Sequence, residues 1–254
     1  MKPIYIVGAG PGEPELLTVK AQRLLREADR IVWAGSLINP AILEMAKPEV
    51  EIFDSSKLTL EEIISILEEG YRKDQLVIRL HTGDPSIYGA IGEQIRLLDD
   101  HNIPWEVVPG VSSFLATAAT LGIEYTVPEL TQTVILTRVE GRTPMPERES
   151  LAELAKHQST LCIFLSIQQL NKTVRELKSV LPGTTRVAVV EKASWPDEQI
   201  VNGTLDDIEA KVETSGIERT AMIVVGKCLE GNIQRSKLYN PRFEHGYRRG
   251  RTDE

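Results

Sequence analysis

Ile4-Tyr5-Ile6-Val7-Gly8-Ala9-Gly10-Pro11-Gly12 is an apolar β-type run that breaks abruptly into a glycine–proline turn. Two further junctions repeat the pattern: Leu76-Val77-Ile78-Arg79-Leu80 ahead of Thr82-Gly83-Asp84-Pro85, and Trp105-Glu106-Val107-Val108 ahead of Pro109-Gly110-Val111-Ser112-Ser113. A single Gly/Pro turn is ordinary punctuation. If the three runs are neighbouring parallel strands, however, all three turns leave the sheet at its carboxyl edge, where open α/β sheets bind ligands.

Outward from these junctions, strands alternate with amphipathic helices. Strands are expected at 3–8, 31–34, 76–80 and 105–108, with helices over 15–28, 40–46, 59 onward and 86–101. Thr59 followed by Glu62 has the spacing of a capping box. Past the helix at 116–121, strands are expected at 133–137, 160–165, 186–190, 199–201 and 221–225, with helical stretches near 150–157, 168–180 and 205–213. The alternation predicts an α/β fold of two α/β domains. The N-terminal domain (1–115) has a mostly parallel open sheet. The C-terminal domain (116–240) has a mixed sheet, because only a short linker separates 186–190 from 199–201. A basic tail fills 241–254, and a cleft between the domains is the expected ligand site.

The bulk numbers narrow the function classes. A chain of 254 residues, 41% hydrophobic and 26% charged, has the composition of a soluble globular protein. A formal charge of -8 argues against a general nucleic-acid binder. Cys162 and Cys228 lie far apart in apolar runs and suit buried thiols of a reducing compartment. No apolar run approaches the ~20 residues of a membrane span, and the first residues read as a strand, not a signal peptide. A cytoplasmic protein is expected.

In a dinucleotide-binding loop the third glycine would fall at Glu13, and the strand ending Trp33-Ala34-Gly35-Ser36 brings no acidic residue for a ribose. No Gly-Lys-Ser/Thr follows, so a P-loop is excluded too. What the loop would offer is exposed backbone N–H groups, or merely a tight strand-to-helix turn. Asp84 would either cap the next helix or meet a ligand hydroxyl. The segment Arg138-Val139-Glu140-Gly141-Arg142-Thr143-Pro144 puts guanidinium groups, natural partners of carboxylates, on a loop after a strand. From Arg235 to Arg251 the chain reads as an unstructured basic tail, although Tyr239-Asn240-Pro241-Arg242-Phe243 is unlike plain spacer. His81, His101, His157 and His245 lack metal-ligand spacing, so no metal is expected. Without a Gly-x-Ser-x-Gly elbow, nothing supports a nucleophilic hydrolase.

Taken together, Tyr5–Gly12 with Leu16-Leu17-Thr18 behind it, then Gly83-Asp84-Pro85, then Pro109–Ser113, resemble in residues and order the tetrapyrrole (corrin/porphyrin) methylases. The segment 137–146 and the ending Leu238–His245 look most like the branch acting at C11 of precorrin-4 or cobalt-precorrin-4. The resemblance implies a cytoplasmic homodimer of corrinoid (cobalamin) biosynthesis that uses S-adenosylmethionine. It implies cofactor contacts at Pro11, Thr82, Gly83, Asp84, Ile87, Ser112, Ser113, Leu165, Ala193, Thr220, Ala221 and Met222. Leu165 and Ala193 stand where the family often has methionine and glycine. Substrate contacts are implied at Gly10, Gly12, Arg138 and Arg142.

A sulfonium methyl is already activated, so its transfer needs mainly in-line positioning, not a nucleophile or a metal. Asp84 or Glu140 would serve if a catalytic base is needed. The ring's carboxylates suit Arg138 and Arg142. Alternatives are methylation of uroporphyrinogen III or another precorrin carbon, an NAD-dependent oxidoreductase, and a non-catalytic tetrapyrrole carrier.

Overall fold

The computed structural model describes residues 1–141, 143–231 and 236–250. It divides into two compact units. The first comprises Met1–Thr120 with Glu191–Gln199, the second Leu121–Val190 with Ile200–Glu254.

The first unit holds β1 (Ile4–Gly8), β2 (Arg30–Trp33), β3 (Glu51–Asp54), β4 (Val77–His81) and β5 (Trp105–Val108), hydrogen-bonded in the order β3-β2-β4-β1-β5. Every pairing is parallel. β1 therefore runs between β4 and β5, and the three turn-rich loops do leave one sheet edge side by side. Helices α1 (Val19–Glu27), α2 (Leu60–Arg72), α3 (Ile91–Asp100) and α4 (Ser113–Leu121) complete the unit. Alternate residues of β1, β2 and β4 point to opposite faces. Val7, Ile31, Ile78 and Leu80 pack with α1, while Ile4, Val32 and Val77 pack with α2 and α3. The Thr59 box is formed: Glu62 N–H donates to Thr59 Oγ1 at 3.3 Å and Thr59 N–H to Glu62 Oε2 at 2.7 Å.

Three expectations for this unit change, the first being the helix expected from 15, which begins at Val19 after the extended Leu17 and Thr18. β3 was not foreseen, because Glu51-Ile52-Phe53-Asp54 is an edge strand with charged ends and no apolar run. The helix expected from 86 begins only at Ile91, since Tyr88 (φ 57°) and Ala90 (φ 49°) are left-handed and break any helix across them.

The second unit contains β6 (Val134–Arg138), β7 (Thr160–Phe164), β8 (Arg186–Glu191), β9 (Gln199–Thr204) and β10 (Ala221–Val225), in the order β6-β7-β10-β8-β9. β6 and β7 are parallel, β7 and β10 antiparallel, so the sheet is mixed. Helices α5 (Leu151–Ala155), α6 (Leu170–Lys178) and α7 (Ile208–Ser215) bury Leu151, Leu170, Val174, Leu177, Ile208 and Val212 against it. Cys162 and Cys228 are free and buried, and burial pushes the Cys162 thiol up to about 12.

The C-terminal segment is not the plain tail expected. Lys237–Tyr239 form a 3-10 turn, His245 and Arg248 pair as a backbone bridge, and the Arg248 guanidinium donates to the carbonyls of Leu238, Asn240 and Phe243. Arg235 and Arg251 lie outside the described residues. Among the described residues no helix is long and apolar enough to cross a membrane.

Candidate functional site

The carboxyl edge of the first sheet is packed backbone against backbone. Gly10 and Gly83 exchange hydrogen bonds across an isolated bridge, at 3.2 Å and 2.8 Å, joining the loops after β1 and β4. A Cβ on Gly110 would lie 2.2 Å from the Gly83 carbonyl oxygen, and one on Gly8 would lie 2.7 Å from Gly110 Cα. Glycine is required at both positions because the obstacle is main chain, which cannot rotate away. Asp84 ties the third loop in: its Oδ2 accepts the Gly110 N–H at 2.9 Å and its Oδ1 the Ser86 N–H at 2.8 Å. Thr82 donates its hydroxyl to the Leu37 carbonyl at 3.2 Å. Ser112 is buried and its carbonyl accepts the first N–H groups of α4, whereas Ile87 and Ser113 are half-buried. Thr82, Gly83, Asp84, Ile87, Ser112 and Ser113 thus come together on one rim.

The glycine loop itself is not a cradle of open amides. Ala9 N–H donates to the His81 carbonyl, Gly10 N–H to Gly83, and Glu13 N–H to Ser194 Oγ. Gly10, Pro11 and Gly12 are buried. Their carbonyls are engaged too: the Trp195 indole N–H donates to Pro11 O at 2.8 Å and Asn39 Nδ2 to Gly12 O at 3.0 Å. Trp195 and Ser194 belong to 191–199, which sequence reasoning passed over as a linker. The available signal was a lone tryptophan, Trp195-Pro196-Asp197, in a polar connector. Ala193 sits in the same stretch, buried between two left-handed residues, Lys192 (φ 49°) and Ser194 (φ 73°).

Beneath the rim, β4 carries two buried polar side chains that sequence reading did not single out as a pair. Arg79 donates to Gln94 Oε1 at 3.0 Å and Val32 O at 3.2 Å, with burial pushing its pKa down to about 10. Burial, with the Arg79 charge adding to it, pushes His81 down to about 3, so its imidazole is neutral.

In the second unit, the expected residues also gather at one sheet edge. β6 and β7 run parallel, so Arg138 and Leu165 leave on the same side; β10 runs the other way, so Thr220 and Ala221 enter there. Leu165 is left-handed (φ 52°) and 63% exposed, and Thr220 is left-handed too (φ 53°). Non-glycine residues in that region carry a strain of about 1–3 kcal/mol and cluster at ligand clamps. Met222 is buried. Arg138 is occupied by its own loop, donating to the carbonyls of Thr143 at 3.2 Å and Pro144 at 2.8 Å. Glu140 is exposed and 3.8 Å from Lys172, whose ammonium also reaches the Glu140 carbonyl at 2.9 Å. Arg142 lies outside the described residues.

With this geometry in hand, the comparisons with known proteins are specific. The model of the tetrapyrrole (corrin/porphyrin) methylases matches residues 3–209. Cobalt-precorrin-4 C(11)-methyltransferase of Methanocaldococcus jannaschii is 52% identical, over 97% of this chain and 96% of its own. An X-ray structure of a cobalt precorrin-4 methyltransferase, a cobalamin biosynthetic enzyme, superposes with a TM-score of 0.87 at 45% identity, covering 89% of this chain and 95% of that one. A uroporphyrin-III C-methyl transferase of Thermus thermophilus, solved with S-adenosylhomocysteine, gives 0.75 at 31% identity, covering 90% and 99%.

Proposed function

The chain belongs to the tetrapyrrole (corrin/porphyrin) methylases, and on that premise we propose that it transfers the methyl group of S-adenosylmethionine to C11 of cobalt-precorrin-4 or precorrin-4 in cobalamin biosynthesis. The observation that carries this reading is the near full-length likeness to cobalt-precorrin-4 C11-methyltransferases.

The local chemistry agrees. The donor has an adenosine and an amino-acid carboxylate but no phosphate, and a glycine loop whose Ala9, Gly10 and Glu13 amides are already bonded is no phosphate cradle. That counts against the nicotinamide-dinucleotide alternative. Small residues at Gly83, Ser112 and Ser113 suit close approach by a nucleoside. An electron pair of the ring at C11 forms the new C–C bond as the C–S bond breaks with its pair staying on sulfur, and the ring then loses a proton as its double bonds rearrange. This chain's contribution is to hold donor and ring in line. Asp84 spends an oxygen on each of two loop amides and acts in positioning, which leaves Glu140 as the acid–base candidate. Arg138 keeps the loop after β6 in shape for the ring's carboxylates. The working form is a cytoplasmic homodimer.

Incubation with methyl-labelled S-adenosylmethionine and cobalt-precorrin-4 or precorrin-4 tests the reading. The expected result is one new methyl carbon assigned by NMR to C11. A methyl at another carbon would move the chain to another branch of the family, and calorimetric binding of NAD in preference to S-adenosylhomocysteine would end the reading.

A further inference from the structure

The stretch Glu191–Gln199 makes contacts within the first unit that the proposed methyl transfer has not used. It is closed on itself: Glu198 Oε2 accepts both the Ser194 N–H and the Thr120 hydroxyl at 2.7 Å. Lys192 pairs with Asp197, and its ammonium lies 5.7 Å from the centre of the Trp195 ring. Two left-handed residues, Lys192 and Ser194, shape the turn. Such strain persists only where the surroundings over-determine it.

What this turn holds is the glycine loop. Trp195 takes the Pro11 carbonyl, Ser194 takes the Glu13 amide at 3.1 Å, and the two contacts bracket Gly12. Gly12 has φ 152°, and a Cβ there would stand 1.9 Å from the indole nitrogen. Position 12 is therefore glycine so that the indole can lie against the main chain, not so that a phosphate can. The ring is half-buried, one side on the loop.

We propose that Trp195 is a positioning residue for methyl transfer, holding Gly10–Glu13 in the conformation that receives the tetrapyrrole. The proposal rests on the reading of the chain as a tetrapyrrole methylase. Trp195 acts through the loop, where the implied substrate contacts Gly10 and Gly12 flank the Pro11 carbonyl it holds, so its removal weakens acceptor binding more than donor binding. A residue serving stability alone would weaken both or neither.

The test compares wild type with Trp195→Phe, which keeps an aromatic ring but drops the N–H, and with Ser194→Ala, a milder change that removes the Glu13 acceptor. The expected result is a rise of about 3- to 10-fold in KM for the tetrapyrrole, the size of one lost hydrogen bond. The affinity for S-adenosylhomocysteine stays within about twofold, and amide exchange at Glu13 quickens in both variants. An unchanged KM, equal losses of donor and acceptor binding, or unchanged Glu13 exchange overturns the proposal. Absence of tetrapyrrole methylation by the wild type overturns the underlying reading instead, so the two failures are told apart.

Discussion

Asp84 Oδ2 accepts the backbone N–H of Gly110 at 2.9 Å, which fastens the loop after β4 to the loop after β5. With its other oxygen on Ser86, one carboxylate sets the course of both loops past the rim. Both bonds are charge-assisted, the stronger kind.

Asp84→Ala removes both acceptors and leaves two loop amides to find water. The expected cost is about 1–3 kcal/mol in urea unfolding, together with weaker S-adenosylhomocysteine binding. Asp84→Asn retains one acceptor and is expected to lose less of each. Unchanged donor affinity in the alanine variant would mean that the two loops keep their course without this tether.

How much of this was legible depended on whether the relevant contacts were local. β1, β4 and β5 announce themselves because each is a β-type run that breaks into a glycine–proline turn, and their glycines because main-chain crowding leaves no other residue. β3 did not, since the largely exposed Glu51-Ile52-Phe53-Asp54 has no hydrophobic signature. The late start of α3 was hidden for a different reason: the left-handed Tyr88 and Ala90 are set by tertiary context. Trp195 could not be placed at all, because its partner Pro11 is 184 residues away. Arg138 was visible as a charge on a loop, yet the carbonyls that occupy it come from the turn it closes.

His81 predicts an acid-sensitive fold. It is 5% exposed, its Nε2 has no hydrogen-bond partner among the described residues, and burial beside Arg79 pushes its pKa down to about 3. In the unfolded chain the imidazole takes its proton near pH 6.5, so below that pH the unfolded state binds more protons and is favoured. Stability is therefore full above pH 6.5 and is lost as pH falls toward 3, by up to about 1.4 kcal/mol per pH unit. The other histidines, His101, His157 and His245, are exposed. Urea midpoints at pH 7.5, 6.5, 5.5 and 5 are expected to show this fall, and His81→Phe to flatten it by one proton. A variant with the wild-type slope would assign the protons elsewhere.

Arg138 tests whether the loop after β6 serves the acceptor. Its fork reaches the carbonyls of Thr143 and Pro144, a geometry that a single ammonium cannot reproduce. Arg138→Lys and Arg138→Ala are both expected to raise the tetrapyrrole KM, by about 10-fold for alanine, the worth of one charge-assisted contact. Donor affinity should hold. Calorimetry with S-adenosylhomocysteine beside acceptor kinetics reads the split, and parallel loss of both ligands would remove Arg138 from the acceptor side.

Leu165 gives a prediction in which stability and function move in opposite directions. A large apolar side chain that is 63% exposed and left-handed gains nothing from burial and is strained by its backbone. Asparagine tolerates that conformation better than leucine does. Leu165→Asn should therefore leave the urea midpoint unchanged or raise it, by up to about 1 kcal/mol. If the strain is kept for the donor's sake, the same change weakens S-adenosylhomocysteine binding about 5- to 10-fold, through loss of apolar contact with the nucleoside. The stabilised variant with full donor affinity is the outcome that would strip Leu165 of its place at the site. Loss of stability would show instead that the left-handed turn after β7 depends on the leucine side chain itself.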